Sequence, residues 1–501
     1  MKHDELYALL RRRGVLWPSA EIYGGAQGLY DYGPLGVGLK RRIEDAWSAW
    51  FVGLSGDYHL VQPAELLPEA VVRASGHLEN FTDPEIVCEQ CHSVFRAETV
   101  LEKVRPEGVD GLSTAEIAEV VHAHQVHCPN CGSTALSVPE PFHLMFGTDF
   151  GVTGKERVYL APETAQGSYL SFARMWDVGR HRLPLGIAVV GRAYRNEIAP
   201  RQVLFRMRAF TQAELQIFFD PAHFDVPLDR LRDEQLPVLR VARREAGEES
   251  PSWETAGALV DGGQLPAFYV YHLVHTYRFY RDVLRYPADR IRLFEKSDAE
   301  RAFYNRIQFD VEVKLESLGS YKELGAVHYR GDYDLSRHSE GSGRDLSITL
   351  DGGTKLLPHV LELTFGVDRN LWALADLHLT HEGERTVWKL PPYLAPVAVG
   401  VLPLMVKEHA AYAERLAEAL AAAGLRVQYD ESGAIGRRYA RLDEAGTPYA
   451  VTVDGTTVSE GPDRDTVTLR ERDSKSQERV RAADVAGRIL PTLVPPRPPR
   501  A

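Results

Sequence analysis

The stretch "GRAYRNEIAPRQVLFRMRAFTQAEL", residues 191–215, restricts the fold more than any other part of the chain. Apolar and polar residues alternate through "FRMRAF", and alternation returns in the "LQIFF" that follows. A period of two fits a strand and not an amphipathic helix. With Pro200 at its centre, the segment reads as strand–loop–strand. Arg192, Arg195, Arg201, Arg206 and Arg208 crowd into it. Arginine keeps its charge and grips phosphate with two parallel hydrogen bonds. Arg195 and Glu197 are two apart and share a strand face, which suits a ligand with an anionic end and a donor-bearing end, such as ATP. Arg206, Arg208 and Phe210 share a face on the second strand, a stacking slot for a purine. A charged outer hairpin face, cross-paired by salt bridges, would show the same pattern. The hairpin alone leaves the two readings even.

The rest of the chain narrows the setting. It has 501 residues, room for two to four domains, with Lys+Arg 58 against Asp+Glu 70 and a formal net charge of −12. That balance excludes a protein coated in positive charge but not one with a local basic patch. The N-terminal "MKHDELYALLRRRG" lacks the apolar core of a signal peptide, and runs such as "VAVGVLPLMV" at 397–406 are too short to span a bilayer. We expect a cytoplasmic protein with no membrane partner. All four cysteines fall in two C-x-x-C pairs, Cys88/Cys91 and Cys128/Cys131. Two such knuckles offer Zn²⁺ four thiolates and leave no open position for water, so the site would be structural. The alternative is a set of buried free thiols.

Along the chain, "STAEIAEVVHAHQ" between the cysteine pairs reads as a helix capped by Ser113 or Thr114. Residues 142–220 are strand-like, 221–300 look mainly helical, and 305–350 return to short strands. "HVLELTFGVDRNLWALADLHL" reads as a strand running into a helix. The character changes near "KLPPYLAP", a plausible linker. Beyond it, β-α-β-α-β order implies a small doubly wound α/β domain, followed by a Pro/Arg-rich tail expected to be disordered. The domain expectation is 1–390, with insertions at 86–140 (the Cys pairs) and 221–300 (mainly helical), then 391–490, then the tail 491–501.

Further motifs add polar groups in a fixed order. "PETAQG" supplies Glu163 and Gln166, "ELGAVHYRGDYDL" supplies Glu323, Arg330 and Asp332, and "HVLELTFGVDRN" places Glu362 and Thr364 on one strand face before Gly366 and Arg369. Together with "SAEIYGGAQGLYDYGPLGVGLK", "ASGHLENFTDP", "FRAE", "RNEIAPRQ", "LFRMRAFTQAE", "DYDLSRH", "YDESGAIGRRY" and "DEAGTPYAVTVD", they make the chain resemble the homodimeric class II glycyl-tRNA synthetases over nearly its whole length.

The resemblance implies an α+β fold: an antiparallel-sheet catalytic core of class II type with a zinc-knuckle insertion, and a C-terminal α/β anticodon-binding domain. It implies a homodimer, the substrates glycine and tRNA(Gly), ATP with Mg²⁺, and structural Zn²⁺ on Cys88, Cys91, Cys128 and Cys131. Arg195 would hold the α-phosphate and Arg369 the γ-phosphate. Asn196, Glu197, Leu204, Phe205, Arg206, Arg208, Phe210, Glu323, Leu324, Gly366 and Asp368 would complete the ATP site. Glu197 would accept from the adenine amino group, and Glu323, with Glu362, would hold Mg²⁺. Glu163, Glu214 and Glu362 would face the glycine ammonium and Arg330 its carboxylate, with Arg96, Gln212, Thr364 and Gly366 alongside. Arg437, Arg438 and Arg441 would meet the tRNA backbone.

Seven positions depart from the family pattern. Ala161 replaces arginine, Val203 glycine, Ala209 glutamate and Thr364 serine; Leu363 replaces proline; Ala440 and Leu442 replace polar residues. These positions are expected to face ligands, and so to bear on amino-acid and tRNA specificity. Three functions compete: a glycine–tRNA ligase, a paralogue adenylating a small amino acid for another acceptor, and a non-catalytic RNA-binding homologue. The retained ATP clamp speaks against the third.

Overall fold

The computed structural model describes residues 2–105, 109, 112–152, 154–263, 265–350 and 352–499. Nine strands form its main sheet: β1 (Tyr58–Leu60), β2 (Leu185–Tyr194), β3 (Ala209–Phe219), β4 (Gln235–Leu239), β5 (Ser252–Thr255), β6 (Ile291–Glu295), β7 (Ile307–Leu315), β8 (Ser320–Gly331) and β9 (His359–Gly366). Their order is β5-β4-β6-β7-β8-β9-β3-β2-β1. The central run from β6 to β2 is antiparallel throughout. The alternating hairpin is thus β2 and β3, in register from Leu185 opposite Phe218 to Tyr194 opposite Ala209.

Side-chain parity divides the sheet into two faces. Ala213, Leu215 and Ile217 of β3, and Leu361, Leu363 and Phe365 of β9, enter the main core. There they meet helices α1 (Pro34–Phe51), α3 (Ala267–Arg278) and α5 (Val367–His378). The intervening helix α2 (Ala165–Val178) covers part of the other face, where Tyr169 and Phe172 pack on Phe218 and Val360. A fifth helix, α4 (Tyr333–Ser342), adds Leu335 to that cluster. The rest of this face carries polar residues and becomes the candidate site. Helix α1 opens on Pro34, whose missing N–H costs nothing at a first helical position.

Two expectations about secondary structure change. The segment 221–300 is mixed: "QLPVL" is β4, whose apolar run is buried because it pairs with β5 and, in parallel, with β6. Residues 305–350 hold two long strands, β7 and β8, helix α4, and only one short strand, Ile348–Thr349. The cysteine insertion has its own three-stranded sheet and a small core around Ile86, Leu101 and Ile117. Its helix Thr114–Ala123 is capped by Ser113 in a reciprocal capping box with Glu116.

The C-terminal sheet comprises β10 (Val399–Pro403), β11 (Val427–Tyr429), β12 (Tyr449–Val453), β13 (Thr466–Glu471) and β14 (Gln477–Arg481) in the order β11-β10-β12-β13-β14. The first three are parallel, with helices α6 (Val406–Ala422) and α7 (Ile435–Glu444) as crossovers, while β13 and β14 add an antiparallel hairpin. The described part of the tail, 491–499, differs from expectation, and residues 500–501 lie outside the described residues. Leu490–Leu493 form a 3₁₀ turn and Pro498 is buried beside Gly53, a contact that needs no backbone donor from the proline. Among the described residues, no helix is long and apolar enough to cross a membrane.

Candidate active site

The polar face of the sheet opens as a cleft between the β2–β3 hairpin, β8, β9 and the start of α5. Of the nucleotide residues expected from sequence, Arg195, Glu197, Leu204, Phe205, Arg206, Phe210, Glu323, Leu324, Gly366, Asp368 and Arg369 line it, with Gln212 and Thr364. The Arg195 guanidinium lies between the rings of Phe81 and Phe210, 5.3 Å from each centroid, and its Nε donates to Pro162 O at 3.1 Å. Arg206 Nε stands 3.7 Å from Glu197 Oε2, too far for a hydrogen bond. Glu197 Oε2, Arg206 Nη1 and Gln212 Oε1 are buried without a hydrogen-bond partner. Buried polar atoms usually find a partner, so these three are unsatisfied groups among the residues that line the cleft. Burial and the nearby Arg96 push the Arg206 guanidinium below its ordinary range, against the pull of Glu197. Arg369 Nη1 donates to Glu323 O at 3.0 Å and faces the Glu323 carboxylate at 3.5 Å. Burial resists ionisation of Glu323, but Arg369 and Lys296 outweigh it and hold the carboxyl low.

Several expected residues take other places. Arg208 gives its guanidinium to Gln27 O and Glu197 O, at 3.1 and 3.0 Å. It pins the loop that ends at Gly28, where a Cβ would strike Pro200 at 2.6 Å. Asn196 donates its backbone N–H to Leu144 O at 2.7 Å. Arg96 is held by Asp83 through contacts of 2.6 and 2.8 Å, in a second cavity beside Ser113 and Pro141. Asp368 is buried, with both carboxylate oxygens occupied inside the protein.

Glu214 and Glu163 do not line the cleft: Glu214 is buried and accepts from Thr164 Oγ1 at 2.6 Å, and Glu163 lines a neighbouring cavity with Thr164. Glu163 accepts from Gln166 Nε2 at 2.8 Å and faces His77 Nε2 at 3.6 Å. Burial pushes the Glu214 carboxyl well above the carboxylate range, with Glu362 and Glu163 adding to the effect. Burial also opposes ionisation of Glu163, yet His77 and Arg330 overcome it and hold that carboxyl low. Here one expectation is corrected. Arg330 does not stand open for a ligand carboxylate: it is 2% exposed, binds Asp334 with Nε and Nη2 at 2.7 and 2.8 Å, and gives Nη1 to Glu362 at 2.7 Å. Its Cζ lies 3.9 Å from the centroid of the Tyr304 ring. Glu362 also accepts from Tyr169 OH at 3.4 Å, so it is not free for a metal. Tyr304, Asp334, Lys40 and Tyr32 were missed from sequence. Asp334, Tyr32 and Lys40 lie inside quoted motifs, but pattern alone does not mark them as partners of Arg330 or Asp368.

The four cysteines converge as expected: Cys88 Sγ is 3.6 Å from Cys131 Sγ, Cys91 Sγ is 3.7 Å from Cys128 Sγ, and all four lie within 4.8 Å of one another. Thiolates about 2.3 Å from Zn²⁺ in a tetrahedron stand about 3.8 Å apart, so the set fits the ion. The basic C-terminal helix is corrected. Arg438 is buried, donating to Gly433 O and Pro403 O, and Arg441 is paired with Asp430 at 2.7 Å. Of the three arginines only Arg437 is exposed.

An antiparallel sheet carrying an arginine cleft, followed by a small α/β domain, is the architecture of a class II aminoacyl-tRNA synthetase. Residues 397–491 match the anticodon binding domain family. The chain is 36% identical over 566 aligned positions to the glycine–tRNA ligase of Thermococcus gammatolerans, covering 97% of this chain and 98% of that protein. The enzyme of the same name from Methanothermobacter thermautotrophicus is 35% identical, over 98% of this chain and 99% of its own length. That of Aeropyrum pernix is 36% identical, over 97% and 96%. The chain belongs to the glycine–tRNA ligase family.

Proposed function

We propose that this protein activates glycine with ATP, forming glycyl-adenylate and pyrophosphate, and passes the glycyl group to the 3′-terminal ribose of tRNA(Gly). The observation that carries the reading is the trio of unpartnered buried atoms, on Glu197, Arg206 and Gln212, around one cleft. Glu197 Oε2 accepts from the adenine amino group. Phe210 supplies an aromatic face for the base, and Arg206 Nη1 donates to a phosphate oxygen. Arg195 neutralises the α-phosphate as a glycine carboxylate oxygen attacks it and the pyrophosphate oxygen leaves. Arg369 holds the γ-phosphate from the far wall. The work is positioning and charge neutralisation.

Glu163, Glu214 and Gln212 Oε1 receive the glycine ammonium. With Arg330 committed to Asp334 and Glu362, the glycine carboxylate is left to Arg195 and the cleft mouth. No pocket can grip a side chain that glycine lacks, so discrimination rests on excluding bulk, with Thr364 on the wall. Glu323 is the carboxylate placed to hold Mg²⁺, which would screen the charge of the phosphates. Cys88, Cys91, Cys128 and Cys131 would hold Zn²⁺, which would cross-link the two ends of the insertion. Arg437 offers a tRNA phosphate contact, the working unit is a homodimer, and the compartment is the cytoplasm.

The test is amino-acid-dependent ATP–pyrophosphate exchange without tRNA, with glycine, alanine and serine side by side, followed by charging of tRNA(Gly). Glycine alone should support exchange. Exchange only with another amino acid, or with none, refutes the reading.

A further inference from the structure

A buried cluster beneath the cleft has no part in the chemistry above. Asp368, 2% exposed, accepts the backbone N–H of Thr211 on Oδ2 at 2.5 Å. Its Oδ1 accepts the Tyr32 hydroxyl and faces Lys40 Nζ at 3.3 Å. Lys40 Nζ also donates to Thr211 Oγ1 at 2.6 Å and lies 4.7 Å over the Tyr32 ring. Three separate elements meet here. Thr211 sits on β3 between Phe210 and Gln212, Asp368 directly precedes Arg369 in the first turn of α5, and Lys40 comes from α1.

One carboxylate therefore sets the distance between the strand that carries the base and ammonium contacts and the helix that carries the γ-phosphate arginine. Its only cation within ion-pair distance, among the described residues, is Lys40. Glu44, one helical turn after Lys40, repels it. A buried carboxylate stripped of its cation must take up a proton or turn toward water. Either change weakens its hold on Thr211.

We propose that Lys40 is a positioning residue of adenylate formation, acting through Asp368 to hold the Arg369 guanidinium and the β3 contacts in register. The inference rests on the glycine–tRNA ligase reading. Misplacing reacting groups by about 1 Å costs about a hundredfold in rate.

The test compares wild type, Lys40→Met, Asp368→Asn, Tyr32→Phe and the Lys40→Met/Asp368→Asn double variant in glycine-dependent ATP–pyrophosphate exchange. It reads kcat, KM for ATP, KM for glycine and melting temperature separately. Lys40→Met should lower kcat about a hundredfold and raise both KM for ATP and KM for glycine, because Arg369 and the β3 contacts both lose their register. Because Lys40 acts through Asp368, adding its substitution to Asp368→Asn should cost less than about twofold more. If Lys40→Met does not fold, Tyr32→Phe decides, with an expected loss in kcat of about tenfold. Wild-type kcat in Lys40→Met or, in its place, in Tyr32→Phe overturns the inference alone. So do losses that multiply in the double variant. Absence of glycine-dependent exchange in the wild type overturns the ligase reading and the inference with it.

Discussion

Replacing Arg330 by methionine separates the two roles open to that residue. As a ligand residue, it would be needed for glycine affinity and little else. In the structure it neutralises two buried carboxylates, Asp334 at 2.7 and 2.8 Å and Glu362 at 2.7 Å. Methionine keeps much of the volume against Tyr304 but leaves both acids without their cation. Removing one partner of a buried pair costs about 3–5 kcal/mol, because the remaining charge stays buried. With two acids stranded, the upper half of that range applies, and with an m-value of a few kcal/mol/M the urea midpoint should fall by roughly 1 M. The loss should depend on pH. Burial already pushes the Asp334 carboxyl up, and Arg330 is the main opposing influence. Without it, the folded-state value of Asp334 is driven further above its unfolded one. The variant then binds extra protons when folded, is least impaired at low pH, and loses stability as pH rises through that value. The assay is urea unfolding followed by tryptophan fluorescence at pH 5.5 and 8. A wild-type midpoint at both, with only KM for glycine raised, would refute the network and restore Arg330 as a carboxylate receptor.

Other outcomes follow from the same geometry. Burial and its acidic neighbours push the Glu214 carboxyl up, against the ionised form that an ammonium needs, so KM for glycine should fall as pH rises; a flat profile refutes this. Arg437→Ala should raise KM for tRNA and lower the salt dependence by about one charge, with stability changed by under about 0.5 kcal/mol. Arg438→Ala should instead destabilise the C-terminal domain by about 1–3 kcal/mol, because buried carbonyls lose a charged donor. Burial depresses His272 to about 4 and His275 to about 3. Their folded values lie below the unfolded value of about 6.5, so stability is intact above that pH and lost below it. The slope should approach 1.4 kcal/mol per pH unit per histidine down to about pH 4, and His272→Gln should flatten it in acid-unfolding titrations.

What the sequence made legible was periodic or covalently spaced. The β2–β3 hairpin, the strand–helix unit of β9 and α5, the paired cysteines and the Ser113 cap all follow from local pattern. Long-range satisfaction was not legible. Arg206 and Arg208 look equivalent two residues apart, yet one points an unpartnered nitrogen at the cleft and the other ties down two carbonyls. Arg438 looked like one of three surface arginines on a helix, but its side chain closes the C-terminal end of β10. The strand β4 was hidden because an apolar run buried on both faces has no alternation to show.

The seven departures from the family pattern can now be weighed by place. Leu363 sits at a core parity on β9, and Leu442 packs against Gly400 with 1% exposure. Ala161 is buried with Leu67, Val72 and Met145, while Ala440 is exposed on α7. Ala209 pairs with Tyr194 at the outer end of the hairpin. Val203 holds φ at +51°, a strain of about 1–3 kcal/mol for a β-branched residue, which burial of its side chain at 7% exposure offsets by about 1.5–3 kcal/mol. Only Thr364 lines the cleft. It stands directly opposite Glu214 on one side and Ala326 on the other, with Oγ1 3.4 Å from Ala326 O. Thr364→Ser keeps that hydroxyl and removes one methyl from the wall. A methyl's worth of space is worth about 1–3 kcal/mol between substrates that differ by one carbon. The ratio of kcat/KM for alanine over glycine in exchange should therefore rise at least about fivefold, with stability nearly unchanged. An unchanged ratio would mean that the alanine methyl is excluded elsewhere, and the carboxylates at Glu163 and Glu214 would then be the wall that glycine alone can approach.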